Sequence, residues 1–206
     1  EDIVDPGGVR NQAQIELEHW SCLLNAMGGA LTPEKCFWYL LDYECVDGEW
    51  RYADSVPREM VVTNPDGSKS PISQEHVTTS KKTLGIHDSP SGGNSAHLAY
   101  IKEKVGVWVN RMFNGHLPSH MAWVAYKHQL WPGVRYGLGT MTNDLEVADN
   151  LLHREDYRIL NVLGVVHSMT KELRRLHTTF GGFGLFSLPV EQLIGRVNML
   201  MQHYHT

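Results

Sequence analysis

The stretch Leu31-Thr32-Pro33-Glu34-Lys35-Cys36 stands between a helical pattern and an aromatic, strand-like one. Thr32 to Lys35 predicts a turn with proline at its second position, where the fixed φ of proline is favoured. Such a turn presents Lys35 between the helix before it and the strand after it. A second lysine-bearing stretch, Lys81-Lys82-Thr83-Leu84-Gly85-Ile86, predicts a short strand with a kink at Gly85.

Helix and hairpin patterns surround the first turn. Apolar residues at helical spacing precede it and predict a helix that ends at Gly28-Gly29: Ala13, Leu17, Trp20, Leu24 and Met27. Phe37 to Tyr43 is rich in strand-forming residues, and Asp47-Gly48 predicts a tight hairpin turn. A further hairpin is predicted around Asn64-Pro65-Asp66-Gly67. Residues 1–88 therefore predict a small antiparallel sheet of hairpins with one helix.

The rest of the chain has helical periodicity. The segment from Ser89 to Ser95 is rich in serine and glycine and predicts a linker. Residues 96–206 then carry apolar stripes that predict a helical bundle, with one helix stopped by Pro132-Gly133 and another closed by Gly164. The predicted fold class is α+β, with domains at 1–88 and 96–206.

Length and composition fit a folded intracellular chain. The 206 residues are 42% hydrophobic and 20% charged, which is enough to bury a core. No run of 18 apolar residues occurs, so no membrane segment is expected. The three cysteines form no CxxC pair, which favours a reducing compartment, cytoplasmic or nuclear. A first residue other than methionine suits a fragment or a processed product.

Charge is distributed unevenly along the chain. Residues 1–66 contain 13 acidic and 4 basic side chains, whereas residues 67–206 contain 10 acidic and 14 basic ones and eleven of the twelve histidines. An acidic region therefore precedes a mildly basic one, which would suit contact with nucleic acid in the second part. Surface solubility alone is the other explanation of this pattern.

Four motifs, in this order, resemble the late palm and the thumb of reverse transcriptases, especially those of non-LTR retrotransposons. The turn at 31–36 resembles the palm motif L-N-P-x-K-[CT], and Thr83-Leu84-Gly85-Ile86 resembles the Y-L-G strand that follows it. The segment from Tyr126 to Gly137 resembles the thumb motif Y-x-x-x-L-P-x-x-x-Y-G, and Gly181-Gly182-Phe183-Gly184-Leu185 resembles a later G-G-x-G-L. The resemblance extends over almost the whole chain.

The resemblance implies an RNA-directed DNA polymerase, a nucleotidyltransferase that works with Mg²⁺ and deoxynucleotides. The implied partners are an RNA/DNA primer–template duplex and the upstream fingers and palm of the same polyprotein. Three departures stand out: no Tyr-x-Asp-Asp occurs, Thr32 replaces an asparagine, and two hairpins lengthen the interval from Lys35 to Thr83. The chain alone is therefore expected to be inactive, with the Mg²⁺ ligands outside it.

Two sets of residues would act near the primer end. By the resemblance, Lys35 is the catalytic candidate, because a positioned ammonium can give a proton to the leaving pyrophosphate, worth about 10²–10⁴-fold. The residues of the implied primer grip are Lys81, Lys82, Thr83, Leu84 and Gly85. Glycine lets the main chain approach the primer backbone, and lysines attract phosphate without reading bases. A solvated turn lysine and a surface strand end are the structural alternatives.

The helical part offers further cations for a duplex. Lys104 and Arg111 are seven residues apart and share one face of a predicted helix, while Lys127 and Arg135 follow later. An ordinary solvated face would look the same. A function of another class also stays open: a non-catalytic helical module that binds protein or nucleic acid. No metal site is predicted, since the possible His116 and His120 pair lacks a completing glutamate.

Overall fold

The structure is a computed structural model that describes residues 6–53 and 59–204. It is a mixed α+β fold, which confirms the predicted fold class. The chain divides into two units, residues 1–79 and residues 80–206, and each is described by itself. Among the described residues, no helix combines the length and the apolar character needed to cross a membrane.

The described residues of the first unit, 6–53 and 59–79, form one long helix and five short strands. Helix α1 spans Pro6–Ala26, and a 3₁₀ turn at Pro33–Lys35 follows. The strands are β1 Phe37–Tyr39, β2 Tyr43–Val46, β3 Glu49–Tyr52, β4 Met60–Thr63 and β5 Lys69–Glu75. Both predicted hairpins are confirmed, since β2 pairs with β3 and β4 pairs with β5. Asp47 and Gly48 both have positive φ, as the tight turn between β2 and β3 requires.

The three-stranded sheet of this unit is mixed, so the prediction of a purely antiparallel sheet is wrong. Its strand order is β1-β5-β4, and β1 lies parallel to β5, with Phe37 opposite Ser73. A parallel pair needs a long connection, and the chain between Tyr39 and Lys69 supplies one. The aromatic run of the sequence is also interrupted, since β1 ends at Tyr39 and β2 begins at Tyr43.

Helix α1 packs on the edge of strand β4 through polar side chains. The Gln14 amide accepts a hydrogen bond from the Val61 N–H at 3.0 Å and donates one to the Val61 carbonyl at 2.9 Å. The Ser21 hydroxyl donates to the Thr63 carbonyl at 2.9 Å. These bonds satisfy backbone groups that an edge strand leaves unpaired. Trp20, expected on the apolar face, is 61% exposed.

The second unit begins with a hairpin and continues as a helical bundle. Its hairpin consists of β6 Lys81–Thr83 and β7 Ile86–Asp88. The helices are α2 Ser95–Asn114, α3 Ser119–Ala125, α4 Trp131–Arg135, α5 Leu145–Leu151, α6 His153–Leu163, α7 Lys171–Arg175 and α8 Leu188–Tyr204. Ile101, Val105, Leu138, Leu160 and Leu163 lie at the centre of its core. Gly164 closes α6 in the left-handed conformation, as the sequence predicts.

The boundary between the units lies before the β6–β7 hairpin rather than at the predicted linker. Ser89 is buried, and the Asn94 side chain forms a hydrogen bond with Thr142. The His87 N–H donates to the His97 ring, which ties the hairpin to α2. A serine- and glycine-rich segment can thus be held in place by contacts between residues far apart in the sequence.

The predicted helix end at Pro132-Gly133 is wrong, because the helical segment continues to Arg135. A π-helical turn at Tyr126–Leu130 immediately precedes α4, and the Trp131 N–H donates to the Tyr126 carbonyl. Pro132 then occupies the first turn of α4, where a missing N–H costs least. The widened turn thereby lets the chain pass the proline without breaking the helical segment.

Candidate nucleic-acid interface

The β6–β7 hairpin turns at Leu84 and Gly85. Thr83 pairs with Ile86 across a two-residue loop, so the stretch is a hairpin turn and not one strand with a kink. Both loop residues have positive φ, +51° for Leu84 and +90° for Gly85, which is the geometry of a type I′ turn. Asparagine or glycine normally occupies the first of these positions. Here a leucine adopts it, and 85% of the Leu84 surface is exposed.

An exposed leucine in left-handed geometry is unfavourable twice over. The left-handed conformation costs an L-residue about 1–2 kcal/mol, and an exposed apolar side chain gains nothing from burial. Backbone strain of this kind concentrates at sites of function. The tip of the hairpin therefore combines an unfavourable backbone conformation with an exposed apolar side chain.

Two lysines converge on the ring of Tyr100 beside this hairpin. The Lys82 Nζ lies 4.6 Å from the ring centroid, and the Lys104 Nζ lies 5.5 Å from it. Lys104 also donates a hydrogen bond to the Gly133 carbonyl at 2.9 Å. Contact with an aromatic face stabilises an exposed ammonium by about 0.5–1 kcal/mol. The ring therefore gives a favourable contact to lysines from two different elements, and the carbonyl adds a hydrogen bond to one of them.

The face of α2 beyond Tyr100 borders a groove of about 270 Å³. Lys104 and Arg111 both line it, so the structure places these two cations on one side of the helix as their spacing predicts. Gln129 contributes a polar group from the neighbouring π-helical turn. Val107 and Trp108 supply the apolar part of the lining. The carboxylate of Glu103 lines the groove as well, so its apolar floor is bordered by two cations and one anion.

Lys127 and Arg135 line a different cavity, of about 510 Å³. The Lys127 Nζ lies 5.6 Å from the centroid of the Trp123 ring. Arg135 forms an ion pair with Glu191, with 3.2 Å between Nε and Oε2. The carboxylate of Glu191 offsets the charge of Arg135, so Lys127 is the more available cation of the two.

Lys35 and Lys81 complete the residues that the sequence singles out. Lys35 is the exposed last residue of the 3₁₀ turn, and its N–H donates to the Thr32 carbonyl at 2.9 Å. This turn belongs to the first unit, whereas the other candidates belong to the second. Lys81 is half-buried and lies opposite Asp88 in the hairpin ladder. Opposite charges at facing positions stabilise such a ladder.

The charge difference between the two parts of the sequence follows the structural division closely. Residues 1–79 contain 14 acidic and 5 basic side chains, while residues 80–206 contain 9 acidic and 13 basic ones. The hairpin, α2 and the two cavities all belong to the positive unit. Its surface can therefore attract a polyanion even though the whole chain is acidic.

Sequence reasoning missed the residues that arrange these cations. Tyr100, His87 and His97 form one cluster, with the His87 and Tyr100 rings 5.1 Å apart and the His97 and Tyr100 rings 5.9 Å apart. One signal was present, because Tyr100 precedes Lys104 by four residues and so shares its helix face. The histidines gave no comparable signal, since their contact joins residues on either side of the predicted linker.

The residues present do not fit the pair of Mg²⁺ ions that the resemblance implies. Within residues 6–53 and 59–204, no group of three histidine, cysteine, aspartate or glutamate side chains is placed to hold a metal ion. The resemblance itself assigns those ligands to a part of the enzyme outside this chain. No chemical step through the metal is therefore derived from these residues.

Comparisons with known proteins leave the family open. No protein-family model matches the chain, and no curated protein or solved structure matches it significantly. The resemblance to reverse transcriptases therefore rests on the sequence motifs alone.

Proposed function

We propose that this chain is the late palm edge and the thumb of a retroelement-like reverse transcriptase and that it grips the RNA/DNA primer–template duplex. The observation that carries the proposal is the β6–β7 hairpin. Its strained tip exposes Leu84 beside Gly85, and Lys82 stands behind the tip on the ring of Tyr100. The motif that resembles a primer grip thus coincides with an exposed, locally unfavourable turn next to positive charge.

The chemistry of this surface suits a duplex backbone. Phosphate contacts position a protein on a duplex without reading its sequence, and lysine and arginine supply most of them. Gly85 allows the main chain to approach a sugar closely, and the exposed Leu84 offers an apolar contact to the sugar edge. Lys104 and Arg111 extend the positive surface along α2. A dispersed set of cations of this kind recognises the shape of a duplex and not its bases.

Lys35 has a separate role in the proposal. In the complete enzyme, its ammonium gives a proton to the leaving pyrophosphate. Its exposure at the end of a short, hydrogen-bonded turn leaves the side chain open to a nucleotide. The residues of this chain grip and orient, while the reaction also needs the part of the enzyme that holds the metal ions.

A matched pair of variants on α2 tests the grip. Arg111→Gln removes a cation from the groove, whereas Lys102→Gln removes an exposed cation that does not line it. Binding of a fluorescein-labelled RNA–DNA duplex to the full chain is measured by anisotropy. The proposal predicts weaker binding and a salt dependence smaller by about one phosphate contact for Arg111→Gln only. If both substitutions weakened binding equally, the duplex would be held by general electrostatic attraction and not by this groove.

A module that binds another protein is the second candidate function, and helix α8 favours it. Polar side chains dock this helix, since Gln192 and Arg196 both donate to the carbonyls of Met141 and Asn143. Large apolar side chains on α8 are instead exposed: Val190, Leu193, Ile194, Val197, Leu200 and Met201. Exposed apolar stripes often mark protein interfaces.

Two substitutions separate the candidates. Leu193→Lys with Leu200→Lys places charge on the apolar stripe and leaves the hairpin and α2 intact. If the chain is a protein-binding module, its partner is lost and no duplex affinity is present in either form. If the chain grips a duplex, the double variant still binds the labelled RNA–DNA duplex.

A further inference from the structure

A histidine in the first turn of α2 forms a hydrogen bond with the middle residue of β7. His97 is only 3% exposed, and its Nδ1 accepts a hydrogen bond from the His87 backbone N–H at 3.3 Å. Its other ring nitrogen, Nε2, is buried without a hydrogen-bond partner. A neutral imidazole that accepts at Nδ1 carries its proton on Nε2. The geometry therefore defines both the charge and the tautomer of this ring.

We propose that neutral His97 is a positioning residue, which aims the Leu84–Gly85 tip by accepting the His87 N–H and releases the hairpin when it becomes protonated. A protonated ring has N–H groups at both nitrogens, so Nδ1 would face the His87 N–H as a second donor. The hydrogen bond would then be lost, and two donors would oppose each other. The consequence for the duplex rests on the proposed function, whereas the coupling of the hairpin to His97 does not.

The ring has little room to turn away from this contact. A Cβ placed on Gly137 would overlap Nε2, so the absence of a side chain there is what admits the ring. The Tyr100 ring stacks on the imidazole at an interplanar angle of 28°. Gly137 is buried as well. The imidazole thus contacts both a backbone segment and an aromatic ring, and it cannot exchange its two nitrogens by a small rotation.

The charged and titratable groups around His97 come from its own helix and from the two strands of the hairpin, while the third segment in contact with the ring meets it at Gly137, which has no side chain. These groups are Tyr100 and Lys104 on α2, His87 and Asp88 on β7, and Lys82 on β6, which reaches Tyr100. Burial, followed by the charges of His87 and Lys104, lowers the pKa of His97 below its usual 6.5, and Asp88 partly opposes this. The contribution of His97 to the stability of the docked hairpin is therefore complete above pH 6.5. It is lost as the pH falls through the lowered pKa.

Two substitutions of His97 distinguish the effect of its hydrogen bond from the effect of its ring shape. His97→Asn keeps an acceptor atom where Nδ1 stands and does not titrate. His97→Phe keeps a flat ring and removes the acceptor. His128→Asn, on the exposed surface of the π-helical turn, is the control for a general effect of losing a histidine. NMR of the ring nitrogens in the wild-type chain reports the tautomer of His97 directly, so the test stands even if a variant folds poorly.

The measurement is hydrogen exchange at the His87 amide of the full chain, corrected for the intrinsic effect of pH. In the wild type, protection should fall about 5-fold when the hydrogen bond is lost on acidification, the equivalent of about 1 kcal/mol. His97→Asn should keep its protection at both pH values, and His97→Phe should lack it at both. A proton on Nδ1 at neutral pH, or the same pH dependence in His97→Asn, would overturn the proposal.

Binding of a fluorescein-labelled RNA–DNA duplex then tests the consequence. The affinity for the duplex should change in parallel with the protection of the His87 amide. It should fall on acidification in the wild type, and it should fall less in His97→Asn. A second outcome is that the His87 amide is protected from exchange only when residue 97 offers an acceptor, yet no variant binds the duplex at any pH. That result would support the positioning of the hairpin and contradict the proposed function. Duplex binding that is equal in the wild type and His97→Phe, despite an unprotected His87 amide, would overturn the role of His97 in aiming the tip.

Discussion

The ammonium of Lys82 lies 4.6 Å from the centroid of the Tyr100 ring, so one aromatic residue of α2 fixes a cation of the β6–β7 hairpin. Lys104 approaches the same ring at 5.5 Å. Tyr100 is therefore the residue that brings the lysines of two elements together. This arrangement turns two separate motifs of the sequence into one positive surface behind the hairpin tip.

Removal of this ring should weaken duplex binding. Tyr100→Leu loses both cation–π contacts, which together contribute about 1–2 kcal/mol, so the dissociation constant for an RNA–DNA duplex should rise by up to roughly 5–30-fold. Tyr100→Phe keeps the ring and should bind like the wild type. Tyr157→Leu, on an exposed tyrosine of α6, is a control for loss of an aromatic side chain. Equal binding by Tyr100→Leu and the wild type would contradict the role of the ring.

The hairpin tip should show a trade between stability and binding. Leu84→Asn places the preferred residue in the type I′ turn and should raise the free energy of unfolding by about 1 kcal/mol. The same change removes the exposed apolar contact and should weaken duplex binding. Thermal unfolding and anisotropy measure the two effects on one sample.

Asp47→Asn is the matched control for this turn, because Asp47 occupies the same position in the other type I′ turn with φ +54°. Aspartate already tolerates that geometry, so neither stability nor duplex affinity should change much. If Leu84→Asn stabilised the chain and left its duplex affinity unchanged, the leucine would not belong to the binding surface.

Local signals made part of the fold predictable. Asp47-Gly48 predicts its turn because both residue types accept positive φ, and the structure has that turn. Leu84 carries no such signal, so the second type I′ turn was expected to be a kinked strand. The helical segment that passes Pro132 depends on a π-helical turn that apolar spacing does not reveal. The sequence was sufficient at Asp47-Gly48, and it was not sufficient at Leu84 and Pro132, where the surrounding structure overrides the local preference of the residue.

The sequence predicts the cations of the candidate site, but it does not predict the aromatic and histidine residues that position them. Lys104 and Arg111 share a groove because their spacing of seven matches two helical turns. The contact of His97 with His87 joins a helix to a strand across a segment that resembles a linker. Such a contact is set by tertiary packing, and no periodicity in the sequence encodes it.

Lys35 should affect the chemical step and not duplex binding. In the complete polymerase, Lys35→Ala should slow single-nucleotide addition by about 10²–10⁴-fold, because the leaving pyrophosphate loses its proton donor. Glu34→Ala, in the same exposed turn, is the control for a disturbance of the loop. Rapid-quench kinetics at saturating nucleotide would exclude Lys35 from the mechanism if the rate of the chemical step were unchanged.

Asp156 should give the second unit a stability that depends on pH. Burial raises the pKa of this carboxyl, and the nearby Arg175 only partly opposes that effect. Because the pKa is raised in the folded state, the protonated carboxyl of Asp156 favours folding. This contribution to stability is complete below the usual pKa of 3.8, and it is lost as the pH rises through the raised pKa. Asp156→Asn should therefore stabilise the chain at neutral pH.

The stability gained by Asp156→Asn should shrink as the pH is lowered, because the wild-type carboxyl then becomes neutral. Denaturant unfolding at a series of pH values measures it. Asp149→Asn should behave oppositely, since the ion pairs of Asp149 with Lys171 and Arg175 lower its pKa. An equal gain for Asp156→Asn at every pH would contradict the assignment of the effect to ionisation.

The most direct test of the duplex-gripping account is the salt dependence of binding by the intact 206-residue chain. Anisotropy titrations compare an RNA–DNA duplex with a single strand of the same sequence over a range of salt concentrations. The account predicts tighter binding to the duplex, with affinity falling linearly on a log–log plot at a slope of about −0.9 for each phosphate contacted. Undetectable binding at low salt, or binding that salt does not weaken, would contradict it.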